Sequence, residues 1–412
     1  MLDDLIKQGE LVFSDFVKRA NHLDQPGSIV DPQDTKVLID KFNELNKSVA
    51  PIENPKSRDE VLANELKRTA VHCVNVLGDE LEVRTSTPKE VMDRYSVSSE
   101  DFNSTKLWLI ENRGQVLSAN KRQLELYSTW GRGPVYVGSK KIREAAEALA
   151  EGYLEVLKQA VQDVFPTEEY RDTLDSFIVS LDSAETRSYA SRQSKVSMLS
   201  TRASVYVIKG KMVIDSVDFI RLFGHEVLGH ALNYFMTENS DLPLFVKENY
   251  YTSTSATRES VSSYFEKRLF DLLNAEPEAV KLLEAYESFE SVYKRFFDTS
   301  LLDDYHKKLS QLGFWIMSNS KMDDYEDQMK ELAVYSIEPK WVSGFLNRHR
   351  NDWNRSTGLL LPKVVSELRY SVDVVPQILE KKKPNDITKF ERTLLTGAWS
   401  PDGLKEWVNL MI

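Results

Sequence analysis

Six consecutive residues, His225-Glu226-Val227-Leu228-Gly229-His230, carry the residue types of a zinc hydrolase. Two imidazoles could bind a divalent ion, and a carboxylate could take a proton from water. The familiar spacing for this chemistry is HExxH, which sets the histidines four apart on one helical face. Here three residues separate Glu226 from His230, so the histidines are five apart. At about 100° per residue, positions four apart lie about 40° from eclipsed and positions five apart about 140°. A regular α-helix would point the two rings to nearly opposite sides. Either the string is no metal site or the helix widens by about one residue in this turn, and such π-type bulges occur mostly at functional sites. Gly224 precedes the stretch and Gly229 lies within it, each directly before a histidine, and glycine makes local backbone deformation easier at a cost in helix stability.

Zinc hydrolysis needs about three protein ligands, an open position for water and a base. His225 and His230 would supply two ligands and Glu226 the base. Glu259, in TRESVSSYFEKR and 29 residues after His230, is the candidate third ligand, with Glu266 seven positions further on the same helical face. Glu266 is either a hydrogen-bond acceptor for a ligand histidine or an exposed helix residue. A donor must also stabilise the oxyanion that forms on attack, for which Tyr251, Tyr264 and Tyr370 are candidates. Capture of a terminal carboxylate requires a basic clamp. Arg202 lies with Arg187, Arg192 and Lys195 just before a strand, and Lys363 and Arg369 lie in a later segment; such residues are more often solvated surface charges than clamps.

Helical periodicity dominates the elements that must position these residues. LDDLIKQGELVFSDFVKRA, TKVLIDKFNEL and RDEVLANELKRTAVHCVNVL each space apolar residues by three and four. Gly138 to Phe165 predicts one long helix, starting near Ser139 and stopped by Pro166. FIVSLD predicts a short strand, and SVYVIKGKMVI a strand pair turning near Gly210, which could pair with an extended peptide. DSVDFIRLFGHEVLGHALNYF then predicts a helix capped by Asp215 or Ser216. ENSDLPLFVKENYYTSTSA is expected as a loop, followed by helices over TRESVSSYFEKRLFDLL, AVKLLEAYESFESVYKRFF and GLKEWVNLMI, with KKKPND as a loop. The expected class is mostly α with a small β-sheet (α+β), arranged as an N-terminal helical region over 1–130 and a catalytic region over 131–412.

From about Leu199 to Leu269, about a sixth of the chain, the sequence resembles the HExxxH zinc peptidases typified by the microtubule-associated tyrosine carboxypeptidases and by bacterial proteins named for a QEGLA motif. That family's pattern is a strand, a short polar turn, a helix carrying HEVGTH, and a helix opening with Q-E-G-L-A, with a further Glu seven after the first. The counterparts here are SVYVIKGKMVIDSVDFIRLFGHEVLGH and RESVSSYFE, with LLLPKVVSELRYSVDVV as a weaker extension. The resemblance implies that His225, His230 and Glu259 bind Zn2+, that Glu226 is the base, and that the core is gluzincin-like, an HExxxH helix followed by a Glu-bearing helix. It further implies a metallocarboxypeptidase that removes a C-terminal residue, tyrosine or another aromatic. The sequence departs from the pattern in three places: GTH is LGH, Gly224 stands where the family has a further histidine, and QEGLA is Arg258-Glu259-Ser260-Val261-Ser262. These departures remove no ligand and bear on substrate preference.

The 412 residues carry a formal net charge of -11, so the whole-molecule field repels nucleic acid and acidic membrane surfaces, and neither is an expected partner. No basic extension recruits polyacidic tails; the expected substrate is a peptide or protein C-terminus. The one cysteine, Cys73, permits no intramolecular disulfide and reads as a buried, inert thiol. Early acids in place of early bases, and no run of about 18 apolar residues, give an expected cytoplasmic location. Two rivals stand beside the carboxypeptidase reading: a metal-dependent endopeptidase, and a helical interaction protein whose zinc site is structural or vestigial.

Overall fold

The computed structural model describes residues 2–23, 32–82, 99–130, 140–162, 177–180, 189–193, 196–200, 205–208, 211–247, 254–319, 325–354 and 374–412. These residues are mostly helical. The N-terminal helices are α1 (Leu2–Leu23), α2 (Pro32–Ser48), α3 (Arg58–Glu82), α4 (Ser99–Glu111), α5 (Arg113–Trp130) and α6 (Lys140–Gln162). The strands β1 (Phe177–Ser180), β2 (Tyr189–Gln193), β3 (Val196–Ser200), β4 (Val205–Ile208) and β5 (Lys211–Ile214) follow. Next come α7 (Ser216–Leu222), a π-helix, π1 (Phe223–Ala231), α8 (Leu232–Glu238), α9 (Leu244–Lys247) and α10 (Thr254–Ala275). The last elements are α11 (Pro277–Leu283), α12 (Phe289–Asn319), α13 (Tyr325–Ala333), α14 (Pro339–Asn354), α15 (Val374–Lys381), α16 (Ile387–Leu394) and α17 (Pro401–Met411). Among the described residues no helix is long and apolar enough to cross a membrane.

The chain forms two compact units, each assembled from segments distant in sequence: Met1–Arg113 with Met236–Ser260 and Tyr305–Ile412, and Gly114–Phe235 with Val261–Asp304. In the first, the apolar faces of α1, α2 and α3 meet around Phe13, Phe16 and Phe42, with ring centroids 5.7 and 5.9 Å apart along the series. Each such buried ring contributes about 1.5–3 kcal/mol relative to exposure. Cys73 is buried on α3, and burial pushes its thiol well above the usual range, which keeps it protonated and unreactive. Helix α3 also carries Glu65, whose side chain is only 1% exposed. Its carboxylate accepts the Ser400 amide and hydroxyl, each at 2.7 Å, while Arg68 bridges Glu65 and Glu406. Ser400 in turn caps α17 by accepting the Gly403 amide. Burial pushes the Glu65 carboxyl upward, against the pull of Arg68 and the Ser400 donors.

In the second unit β3 is the middle strand of a three-stranded sheet, parallel to β1 and antiparallel to β2, and β4 pairs antiparallel with β5. The expected strand pair is present on either side of residues 209–210, which lie outside the described residues, as do Ser139 and Pro166. Strands β2 and β3 lie against π1. Tyr153 of α6 packs edge-on against Phe219 and Tyr286, joining the long helix to α7 and to the turn after α11. That turn corrects one expectation. AVKLLEAYESFESVYKRFF is not one helix but breaks over Glu284–Ser288. There Tyr286 packs on Tyr153, and Glu287 pairs with Arg295, contacts that helical geometry at these residues does not have to satisfy. The segment expected as a loop before α10 contains the short helix α9, and α10 begins at Thr254.

Asp215 caps α7 by accepting the Asp218 amide, and is itself buried against Arg295 at 3.1 Å. Asp215→Ala is expected to cost about 2–4 kcal/mol, from the lost cap and from a buried guanidinium deprived of one carboxylate. The urea midpoint reads this directly; a loss under about 1 kcal/mol would mean that the cap alone mattered.

Candidate metal centre

The region needing a wider turn to bring the two histidines together is a π-helix nine residues long, Phe223–Ala231, with α-helix on either side. The widening persists to its end, where the Leu232 amide reaches the Val227 carbonyl five residues back. With i→i+5 bonding, residues five apart fall near one face. His225 and His230 accordingly stand side by side, ring centroids 4.8 Å apart and planes at 79°. Val227 and Leu228 point the other way and are fully buried.

The same register places Gly224 and Gly229 on a face against α10. A Cβ on Gly229 would lie 2.5 Å from Ser262 Cα, and one on Gly224 would lie 2.9 Å from Glu266 Cα. Neither glycine has a positive φ; Gly397 is the only described glycine that does. Their role therefore differs from the backbone freedom expected: they let a second helix approach. Each glycine touches the α10 residue that engages the histidine following it. Glu266 Oε1 is 2.6 Å from His225 Nδ1, and Ser262 Oγ is 3.1 Å from His230 Nδ1. The repeated Gly-His pair at a five-residue interval thus matches Ser262 and Glu266 at a four-residue interval.

Glu259 lies one turn before Ser262 on α10. Its turn is anchored by Ser260, whose hydroxyl accepts the Val375 amide at 3.1 Å. One ligand atom each from His225, His230 and Glu259 lies within 4.8 Å of the others, all three side chains are half-buried, and Glu259 Oε2 is shielded from solvent. Two imidazoles and a carboxylate are the donor set of a catalytic zinc site, which keeps a fourth position for water. The set fits in a second respect. A carboxylate at His225 Nδ1 directs that ring to offer Nε2, the arrangement in which a ligand histidine donates its other ring N–H, and the hydroxyl at His230 Nδ1 is compatible with the same arrangement.

Of the remaining candidates, Glu226 is half-buried on π1 beside His225. Tyr264 is half-buried on α10, with its ring edge-on to Phe265. Arg202, Tyr251, Lys363, Arg369 and Tyr370 lie outside the described residues, and so do Arg187 and Lys195.

Three contributors were missed in the sequence: Ser262, Arg221 and Asp303. Arg221 donates to Glu266 Oε2 from Nε at 3.2 Å and from a terminal nitrogen at 2.9 Å, and also bridges to Asp303. Burial alone would lower this guanidinium's pKa, but Glu266 and Asp303 outweigh it and hold the group charged. Arg221 sits four residues before His225 and Ser262 three after Glu259, a turn away in each case, and that spacing was the available signal. Nothing local marks Asp303. No protein-family profile, curated protein or solved structure matches this chain.

Proposed function

We propose that this protein is a zinc-dependent peptidase, and that it removes C-terminal residues. The observation that carries the reading is the convergence of His225, His230 and Glu259 across a π-helix that also holds Glu226. A stable helix has no use for nine residues of π geometry, and such segments are found mostly where function needs them. Preference for a C-terminus rests on the resemblance of residues 199–269 to the HExxxH carboxypeptidases.

A zinc ion held there would lower the pKa of water toward about 7 and polarise the scissile carbonyl. The chain's own groups do the rest. Glu226 takes the proton of the attacking water as the carbon–oxygen bond forms, and returns it to the amine nitrogen as the carbon–nitrogen bond breaks. Glu266 and Ser262 hold the two rings in orientation from behind. Phe223, Val227 and Leu228 back the π-helix with apolar side chains and keep water from that side.

The test is a digest of a peptide mixture read by mass spectrometry, with each peptide also supplied as its C-terminal amide. Loss of C-terminal residues is expected, abolished by a chelator, restored by zinc and blocked by amidation. Chelator-sensitive internal cuts indifferent to the amide would make the enzyme an endopeptidase. Absence of any chelator-sensitive cleavage would remove the peptidase reading.

A further inference from the structure

Glu266 divides its two oxygens between two partners. Oε1 faces His225 Nδ1 at 2.6 Å, and Oε2 takes both donors of the Arg221 fork, at 3.2 and 2.9 Å. The terminal nitrogen that donates to Oε2 also pairs with Asp303, near the middle of α12. Arg221 is itself on α7, one turn before His225. All four side chains are at least partly withdrawn from solvent: Arg221 is 16% exposed, Glu266 13%, His225 19% and Asp303 36%.

We propose that Arg221 is a positioning residue for the metal centre: clamped by Asp303, it fixes the rotamer of Glu266 and thereby holds His225 as the tautomer with hydrogen on Nδ1 and Nε2 open to metal. The proposal rests on the zinc reading for its consequence but not for its geometry. A carboxylate with one partner can swing about its last torsion, which is broad. One whose second oxygen is held by a planar two-donor fork cannot, and the fork's geometry is what arginine adds over a point charge. With Oε2 occupied by both Arg221 donors, Oε1 is the oxygen left to face His225 Nδ1, and a carboxylate oxygen there accepts from Nδ1–H, which selects one tautomer. Ser262, a hydroxyl that can donate or accept, imposes no such choice on His230. The two ligand rings are therefore unequal: His225 is preset before metal arrives, and His230 is not.

The experiment uses the full chain, zinc-free, with histidine ring nitrogens labelled, and reads the His225 tautomer by long-range nitrogen–proton correlation. Zinc affinity is measured in parallel by competition with a chelating dye. Wild type is expected to show a single Nδ1–H tautomer at His225. Arg221→Gln is expected to give a tautomer mixture and zinc affinity weaker by about 10–100-fold, with Arg221→Lys recovering the tautomer but only part of the affinity. An unchanged tautomer in Arg221→Gln, or affinity within about twofold of wild type, overturns the proposal, because a merely structural ion pair predicts both. If Arg221→Gln does not fold, Asp303→Asn replaces it; loosening the clamp is expected to weaken zinc by about threefold to tenfold, and no change overturns the proposal. A wild type with the expected tautomer and tight zinc but no peptide cleavage ends the peptidase reading and leaves this inference standing.

Discussion

Under the proposed function, Glu226→Gln is expected to retain about one zinc per chain and to lose peptide hydrolysis by about 10²–10⁴-fold, the contribution of a positioned general base. The amide matches the carboxylate in shape and still accepts hydrogen bonds, so the fold and the three ligands are left alone. What it cannot do is take a proton from water at neutral pH. The split between metal content and turnover is the informative part. A structural zinc site predicts the reverse pattern, in which removing the metal melts the flanking helices and the glutamine variant behaves as wild type. Metal analysis, circular dichroism with and without chelator, and the peptide digest together decide between them.

Gly229→Ala carries the second large effect, and two opposing terms decide its sign. Replacing a helical glycine by alanine ordinarily stabilises by about 1 kcal/mol through backbone entropy. Here the new methyl would sit 2.5 Å from the Cα and Oγ of Ser262, so part of what it meets is backbone and cannot rotate aside. Forcing the helices apart costs about 1–3 kcal/mol, occasionally more, and draws Ser262 away from His230. The expected result is a net loss of about 1–2 kcal/mol in urea unfolding together with zinc affinity weaker by about 10–100-fold. Gly224→Ala, whose closest approach is 2.9 Å, follows the same direction with a smaller effect. An alanine variant more stable than wild type with unchanged zinc binding would show that the close approach does not hold the site.

The His225–His230–Glu259 cluster was readable as a candidate site because one integer, the five-residue spacing of His225 and His230, is incompatible with a regular α-helix. A cap at Asp215, a strand pair ending at Ile214 and a carboxylate-bearing helix after a polar segment followed from ordinary periodicity and turn chemistry, and each is present. Strands β2 and β3 were not readable, since YASRQ and VSMLS are rich in serine and gain strand geometry from pairing with each other and with β1. The break at Glu284–Ser288 was hidden for the same kind of reason: its residues favour helix locally, and Tyr153 and Arg295, far off in sequence, claim Tyr286 and Glu287. The glycines were noticed for the wrong property. Sequence shows that a side chain is missing, but only the neighbouring helix shows what occupies its place. The Arg221–Asp303 contact spans 82 residues and leaves no local trace.

The bond between Glu65 and Ser400 has a consequence for how the polypeptide matures during synthesis. Its two ends are 335 residues apart. At about 5–20 residues per second, the donors for that carboxylate follow it off the ribosome by on the order of 20–70 s. Over that interval α3 carries an acid that ends buried, and closing the helices around it early would leave it without its two Ser400 donors. Completion of this buried contact therefore waits for the last helix, and a stop before Ser400 would leave Glu65 without those two donors.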